Sequence, residues 1–296
     1  MKLLSYRIGG HESYGAVKDG AIIDLGRRLG ARFTDMKALI AGNGLQAAND
    51  ILATADPDHA MEDISYLLPV RNPEKILCVG VNYMNRNAEY KDGSDLPKYP
   101  SLFMRTPGSF VGHNEPIIKP LESDQLDYEG EIVIVIGKTG RRIAEQDASK
   151  HIFGLTLMNE GTIRDWVRHG KFNVTQGKNF ERTGAIGPWI VTRDMFTSFT
   201  NLDLTTHVNG DLRQKGNTSE MAFPFSRILA YISTFMELHP GDIIATGTPT
   251  GSGARLDPPQ YLSQGDTIDV ESPLIGTLHN EVMDEENAGA AAGEGS

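Results

Sequence analysis

A single cysteine, Cys78, stands among 296 residues. An intrachain disulfide is therefore excluded, and this usage fits a reducing cytoplasm, the expected location. Cys78 lies in the apolar run Ile76-Leu77-Cys78-Val79, a setting that points to a buried strand residue rather than a nucleophile. No apolar run approaches the length of a membrane span. No apolar h-region follows Met1-Lys2-Leu3-Leu4-Ser5-Tyr6-Arg7, so no secretory signal is expected. Positive charge is in short supply. The formal net charge of −11 argues against a nucleic-acid surface. No Gly-x-Gly-x-x-Gly follows a strand-like segment, which leaves a dinucleotide fold unsupported. Internal repeats are also absent. What remains is the composition of an ordinary globular chain, 39% hydrophobic and long enough to bury a sizeable core.

The pattern along the chain predicts a mostly β protein with some α. Asp19-Gly20 between the strand-like segments 14–17 and 21–23 is a hairpin signal. Helical spacing over 34–54 is broken by Gly42 and Gly44. The stretch Leu67-Leu68-Pro69-Val70-Arg71-Asn72-Pro73 reads as a linker. Residues 1–70 are therefore expected to form a small α+β N-terminal domain, 71–283 the main domain, and 284–296 a disordered tail. In the main part, β-like segments are expected at 75–81, 101–104, 131–136, 152–158, 189–191, 202–208, 242–245, 267–270 and 276–280. Two helical patterns, near 161–169 and 223–238, interrupt them. The polar stretch 82–99 is either a surface loop or a mobile lid.

Chemistry concentrates in a few places. In Asp127-Tyr128-Glu129-Gly130-Glu131, ahead of an apolar strand, Glu129 and Glu131 share one face. Two carboxylates about 4 Å apart repel by roughly 4 kcal/mol at an effective dielectric near 20. Either they face water at a strand edge or a cation joins them. Glu160 sits where a strand runs into the predicted helix, with Arg164 four residues on. That spacing suits a helical ion pair, or else a third acid for a metal with an arginine beside it for an anionic substrate. In Gln176-Gly177-Lys178-Asn179, a lysine stands among glycine and amides. The run Thr246-Gly247-Thr248-Pro249-Thr250-Gly251-Ser252-Gly253 offers backbone N–H groups and hydroxyls that could hold a carboxylate. It lacks the lysine of a phosphate-binding loop.

Taken together, Gly80-Val81-Asn82-Tyr83, Asp127-Tyr128-Glu129-Gly130-Glu131, Asn159-Glu160 through Arg164-Asp165, Gly177-Lys178-Asn179-Phe180, Gly187-Pro188-Trp189-Ile190-Val191 and Gly241-Asp242 through Gly251 resemble the fumarylacetoacetate hydrolase family over roughly 71–283. The resemblance implies a mixed β-roll catalytic domain preceded by a smaller N-terminal one, and a homodimer. It implies a bound Mg²⁺, with Mn²⁺ or Ca²⁺ as alternatives, and a small-molecule 2-oxo acid as substrate. Glu129, Glu131 and Glu160 are then the expected metal ligands. Glu160 stands where the family usually has aspartate. Lys178, Glu89 and Arg86 are the expected catalytic residues, and Arg164, Thr248 and Tyr83 the expected substrate contacts.

There are two further departures. Many family members carry a histidine shortly after the Asn-Tyr pair, and it works with a glutamate to activate water. Here Glu89 is kept but Arg86 stands in the histidine's place, and arginine stays protonated. Val167 stands where the family often has glutamine. His113 and His169 are the candidates to replace the missing base. The first expectation is metal-dependent C–C hydrolysis of a β-diketo or 2-oxo acid of the acylpyruvate type. The alternative is isomerisation or decarboxylation of an unsaturated 2-oxo di- or tricarboxylate in aromatic-compound catabolism. A third reading is a catalytically weak 2-oxo-acid binder.

Overall fold

A computed structural model of the chain describes residues 1–85, 97–171 and 173–288. Two sheets carry it, as expected for a mixed, sheet-dominated fold. In the larger sheet the main path runs His59–Ala60, Ala21–Asp24, His11–Lys18, Lys2–Ile8, Gly184–Thr192, Ile152–Asn159, Gly130–Ile136, Ile243–Ala245, Ile76–Gly80 and Ser101–Arg105. The smaller sheet orders Asp211–Asn217, Asp203–Val208, Thr267–Ser272, Gly276–Asp284 and Ile117–Lys119.

The central strands Gly130–Ile136 and Ile152–Asn159 are buried at every residue. Both faces of the sheet are covered there, so the strands read as continuous apolar runs rather than alternating ones. Ile132, Ile134 and Ile136 pack with the helix Phe225–Phe235 and with Leu204 and Val270 of the smaller sheet. Val133 and Val135 face the other way, into a core with Leu39, Ile40 and Cys78. Cys78 is fully buried in the strand Ile76–Gly80. The helix Phe225–Phe235 buries Phe225, Ile228, Leu229 and Ile232, the stripe expected of an amphipathic helix.

The first 70 residues supply the hairpin His11–Lys18 to Ala21–Asp24, turned by Asp19 and Gly20 at φ 52° and 79°. Two positive φ values in succession fit a type I′ turn, whose twist matches that of the strands. The predicted helical stretch 34–54 is Met36–Ala41 followed by Leu45–Thr54. Lys2–Ile8 pairs antiparallel with Gly184–Thr192, Lys2 opposite Val191 and Leu3 opposite Ile190. The large sheet therefore runs on across residue 71.

The helix predicted over 161–169 does not form. Thr162–Ile163 pairs as a short strand with Leu126–Asp127, and only the 3₁₀ turn Trp166–Arg168 follows. Both Thr162 and Ile163 are β-branched, and an open strand edge beside them offers backbone partners that a helix would forgo. The Glu160–Arg164 helical ion pair is accordingly absent, and Arg164 turns to other acids.

Neither candidate histidine reaches the chemistry. His169 is exposed and packs, tilted, against Trp166 at 4.2 Å between ring centroids. His113 packs edge-on against Tyr66 at 4.6 Å, and its Nδ1 accepts from the His279 N–H at 3.0 Å. It thus joins the N-terminal segment to the rest. Burial, then the neighbouring His279, lowers its pKa from 6.5 to about 4. The folded protein keeps the ring neutral down to that pH, whereas the unfolded chain protonates near 6.5. Stability from this group is full above 6.5, declines as pH falls, and levels off below about 4. Urea unfolding across this window should show the decline, and His113→Asn should flatten it by on the order of 1 kcal/mol. An unchanged slope in the variant would assign the pH dependence to other groups.

Candidate metal centre and active site

Strand register assembles the acids. Gly130–Ile136 pairs antiparallel with Ile152–Asn159, with Gly130 opposite Asn159 and Glu131 opposite Met158. The pairing continues one step further, since the Glu160 N–H donates to the Glu129 carbonyl at 2.7 Å. Glu160 is thereby set across from Glu129, and Glu131 follows on the same face of its own strand. The Asn159 side chain accepts from the Glu129 N–H at 3.0 Å. Gly130 between the two acids faces the smaller sheet. A Cβ there would lie 2.1 Å from Thr206 Oγ1, so a side chain would drive the sheets apart. The three glutamates are buried, and each offers a carboxylate oxygen within 4.8 Å of the others.

Three cations are pulled in among them. Lys178, on the short helix Thr175–Lys178, donates from Nζ to Glu129 Oε2 at 2.6 Å, Thr162 Oγ1 at 2.7 Å and Glu160 Oε2 at 2.8 Å. Arg164 donates from Nε to Asp127 Oδ2 and from Nη2 to Glu129 Oε1, both at 2.7 Å. Arg105, at the end of Ser101–Arg105, donates from Nη1 to Glu160 Oε1 at 3.0 Å. Asp127 is itself fully buried and also accepts from the N–H groups of Tyr128, Gly253 and Ala254. Glu131 Oε2 accepts from the Gly247 N–H at 2.7 Å. Thr248 Oγ1 donates to the Gly130 carbonyl at 2.9 Å and accepts from Gln214 Nε2 at 2.8 Å.

This crowding perturbs the acids. Burial first, then the charges of Glu160 and Glu129, pushes the Glu131 carboxyl well above the usual carboxylate range. Burial also raises Glu160, against the opposing pull of Lys178. For Lys178, burial alone would lower the ammonium, but Glu129 and Glu160 outweigh it and the net shift is upward. Lys178 is therefore a held cation and proton donor at neutral pH, not a free base. Three carboxylates, with Glu131 Oε1 accepting no hydrogen bond among the described residues, form a hard oxygen donor set. That set fits a divalent cation, whose charge would relieve the strain that raises Glu131.

The acids open onto a cavity of about 450 Å³. Glu129, Glu131, Glu160, Arg164, Lys178 and Thr248 all line it, so six of the residues expected from the sequence converge. Its other walls include Val79, Leu102, Phe103, Val167 and Val174. Tyr83 is not among the lining residues. It is buried, with an Oη that has no hydrogen-bond partner among the described residues. Arg86 and Glu89, and most of the stretch expected to form a lid, lie outside the described residues.

Sequence reasoning gave no role to Arg105, Asp127, Gln214 or Asn82. Asn82 is fully buried. Its side chain donates to the Phe223 and Thr246 carbonyls and accepts from the Phe223 N–H, which ties the end of the strand region at 76–80 to the Thr246-Gly247 turn. A polar residue following an apolar run was the available signal for both Arg105 and Asn82.

Replacing Glu131 by Gln keeps the Gly247 contact but removes a negative charge from the donor set. Calorimetric titration with Mn²⁺ should show binding lost in Glu131→Gln, together with any metal-dependent activity. Unaltered affinity and full activity in metal-free buffer would remove Glu131 from the metal centre.

Comparison with known proteins shows the family. The family model described as fumarylacetoacetate (FAA) hydrolase C-terminal matches residues 75–283. The chain is 38% identical over 243 residues to the Xenopus laevis protein named oxaloacetate tautomerase fahd2, mitochondrial, covering 81% of this chain and 75% of that one. It is 40% identical over 228 residues to oxaloacetate tautomerase YisK of Bacillus subtilis, covering 76% and 75%. Among solved structures, maleylpyruvate hydrolase from Sphingobium sp. SYK-6, in complex with manganese(II) ion and pyruvate, superposes with a TM-score of 0.79 at 28% identity over 96% of this chain and 99% of that one. With a family model matched across most of its length and a buried acid triad at the matched strand end, the chain belongs to the fumarylacetoacetate hydrolase family.

Proposed function

We propose that the protein is a metal-dependent enzyme that interconverts the keto and enol forms of a 2-oxo dicarboxylate of the oxaloacetate type. The observation that carries this reading is a cavity with three buried glutamates and Lys178 but no histidine among its described lining residues. Hydrolysis of a C–C bond needs water activated by a base that works near neutral pH, and histidine best suits that task. Tautomerisation needs only that one proton leave C3 and another reach the keto oxygen. The two relatives compared above that carry a tautomerase name support the same choice.

A divalent cation held by Glu129, Glu131 and Glu160 would supply Lewis-acid polarisation of the keto oxygen. We take Mg²⁺ as the working metal, with Mn²⁺ or Ca²⁺ able to occupy the same oxygens. Lys178 has the position and the protonated state to set a positive charge against the oxygen as negative charge develops on it; its three N–H groups already lie on Glu129, Glu160 and Thr162, so a direct hydrogen bond to substrate replaces one of these. Arg164 uses Nε and Nη2 on acids, which leaves Nη1 for the substrate carboxylate. Thr248 lines the same wall, with its hydroxyl hydrogen held by the Gly130 carbonyl. From the sequence motif we assign removal of the C3 proton to Glu89 and recognition of the distal carboxylate to Arg86, through two parallel hydrogen bonds.

A second reading, hydrolysis of an acylpyruvate-like substrate, is favoured by the likeness to the maleylpyruvate hydrolase structure. The two separate cleanly in one assay set. Enol-oxaloacetate should lose its ultraviolet absorbance faster with the Mg²⁺-loaded protein, while acylpyruvates should yield no pyruvate above background. Efficient cleavage of acylpyruvates with no effect on the enol would replace the first reading by the second. Lys178→Met should lower kcat/KM for enol-oxaloacetate at least about tenfold, roughly 1.4 kcal/mol of transition-state stabilisation. Retention of full kcat/KM would take Lys178 out of the reaction.

A further inference from the structure

We propose that Arg105 is a positioning residue for the metal centre: it fixes one oxygen of Glu160 so that the other is presented to the cavity. The proposal rests on the reading of Glu129, Glu131 and Glu160 as the cation site, and it adds a residue to which neither the sequence motifs nor the comparisons give a role.

The Arg105 side chain has no solvent exposure. Its guanidinium is used all round. Nη1 donates to Glu160 Oε1 at 3.0 Å and to the Gly161 carbonyl at 2.8 Å. Nη2 donates to the Ser109 carbonyl and to Thr183 Oγ1, both at 3.3 Å, and Nε to Ser109 Oγ at 3.1 Å. The plane sits over the Phe110 ring at 4.1 Å from its centroid. A planar fork with each nitrogen engaged cannot rotate without breaking several buried bonds at once.

Glu160 is held at both ends by this arrangement. Oε1 is committed to Arg105, and Oε2 lies at 2.8 Å from Lys178 Nζ, on the cavity side. Gly161 carries the same fixation into the backbone. Its carbonyl is bonded to Arg105, and a Cβ at Gly161 would lie 1.7 Å from the Thr183 carbonyl oxygen. The third acid of the site is therefore oriented from behind by a group that does not line the cavity.

Positioning and simple charge make opposite predictions, which gives the test its force. Removing a positive charge near a cation site should strengthen cation binding by electrostatics alone. Removing the group that orients a ligand should weaken it. The experiment measures Mn²⁺ affinity by calorimetry and the electron paramagnetic resonance spectrum of bound Mn²⁺ for the unmodified protein, Arg105→Met and Arg105→Lys, with urea unfolding of each in parallel. Arg105→Met should bind Mn²⁺ about tenfold or more weakly, as is usual when a partner behind a metal ligand is lost. Its spectrum should broaden as Glu160 samples several orientations. Arg105→Lys can still reach Glu160 with one donor and should recover part of the affinity.

Lower unfolding stability with unchanged Mn²⁺ affinity and spectrum would show a purely structural role and overturn the proposal, as would tighter binding in Arg105→Met. Should Arg105→Met fail to fold, Arg105→Lys decides alone, because it keeps the buried charge. Weaker binding with an altered spectrum supports positioning, and binding equal to that of the unmodified protein overturns it. If the unmodified protein binds no Mn²⁺ at all, the metal reading itself fails and this inference falls with it. Normal binding that is indifferent to Arg105 removes this inference only.

Discussion

The structure turns on the burial of four carboxylates at one end of an apolar sheet. Asp127, Glu129, Glu131 and Glu160 are each at most 5% exposed. Acids this close and this dry are tolerated only if each oxygen finds a donor or a cation. Nearly every one does. Asp127 takes three backbone N–H groups and Arg164. Glu129 takes Arg164 and Lys178, and Glu160 takes Arg105 and Lys178. Glu131 has a single backbone donor, on Oε2. It is also the acid whose carboxyl is pushed well above its usual range by burial and by its neighbours. The least compensated acid is therefore one of the three that cluster at the cavity. Four acids face three cations, Arg105, Arg164 and Lys178, which leaves one formal negative charge. A divalent cation reverses that sign, and a 2-oxo acid's carboxylate then brings the site near neutrality. On this view the metal centre is the unbalanced position in an otherwise paired network.

The division of labour among the cations follows from what each already holds. Arg105 lies behind the ligands and spends its whole fork on the protein. Arg164 spends two nitrogens on acids. Lys178 lies between two carboxylates and a hydroxyl, and it lines the cavity. Only the last two line the cavity: Arg164 keeps Nη1, and Lys178, with its three N–H groups already placed, acts on a ligand through its fixed charge. Pre-orientation of this kind avoids reorganisation at the moment charge moves. The compensation also explains why the apolar walls are no obstacle. Phe103, Val167 and Val174 lower the local dielectric, which strengthens each of these fixed charges on the substrate.

Much of this was legible in the sequence, for reasons that differ by residue. Glu129 and Glu131 could be paired because strand periodicity is two and Gly130 separates them. The strands at 130–136 and 152–159 announced themselves as apolar runs. Glu160 and Lys178 emerged through motif order rather than through any local rule. The helix over 161–169 was a false reading, in which the four-residue step from Glu160 to Arg164 looked like a helical turn. The partners of Arg164 are instead Asp127 and Glu129, 37 and 35 residues earlier. Arg105 meets Glu160 across 55 residues. Pairings of that range leave no spacing in a single sequence, because they are set by sheet order and not by local geometry. His113 illustrates the converse. A histidine between two strand-like segments resembles a candidate base, yet Tyr66 and the His279 backbone bury it in a structural seam.

The choice between tautomerisation and hydrolysis comes down to which proton acceptors the cavity contains. Lys178 is held protonated by the acids around it, and Glu129 and Glu160 each give both oxygens to cations. Glu131 is taken by the proposed donor set for the metal. The described wall thus stabilises negative charge on oxygen in several ways but has no free group with which to deprotonate water near neutrality. A site so built favours reactions in which charge accumulates on a keto oxygen and little else has to change. Interconversion of keto and enol forms is the smallest such reaction. Cleavage of a C–C bond asks for the same stabilisation and, in addition, for a nucleophile. The nucleophile needs an activating partner, and the proposed reading puts Arg86 where the sequence resemblance leads one to expect a histidine. A permanent cation at that point can hold a carboxylate but cannot accept a proton. On the proposed reading, the substitution shifts the balance towards diacid substrates and away from hydrolysis.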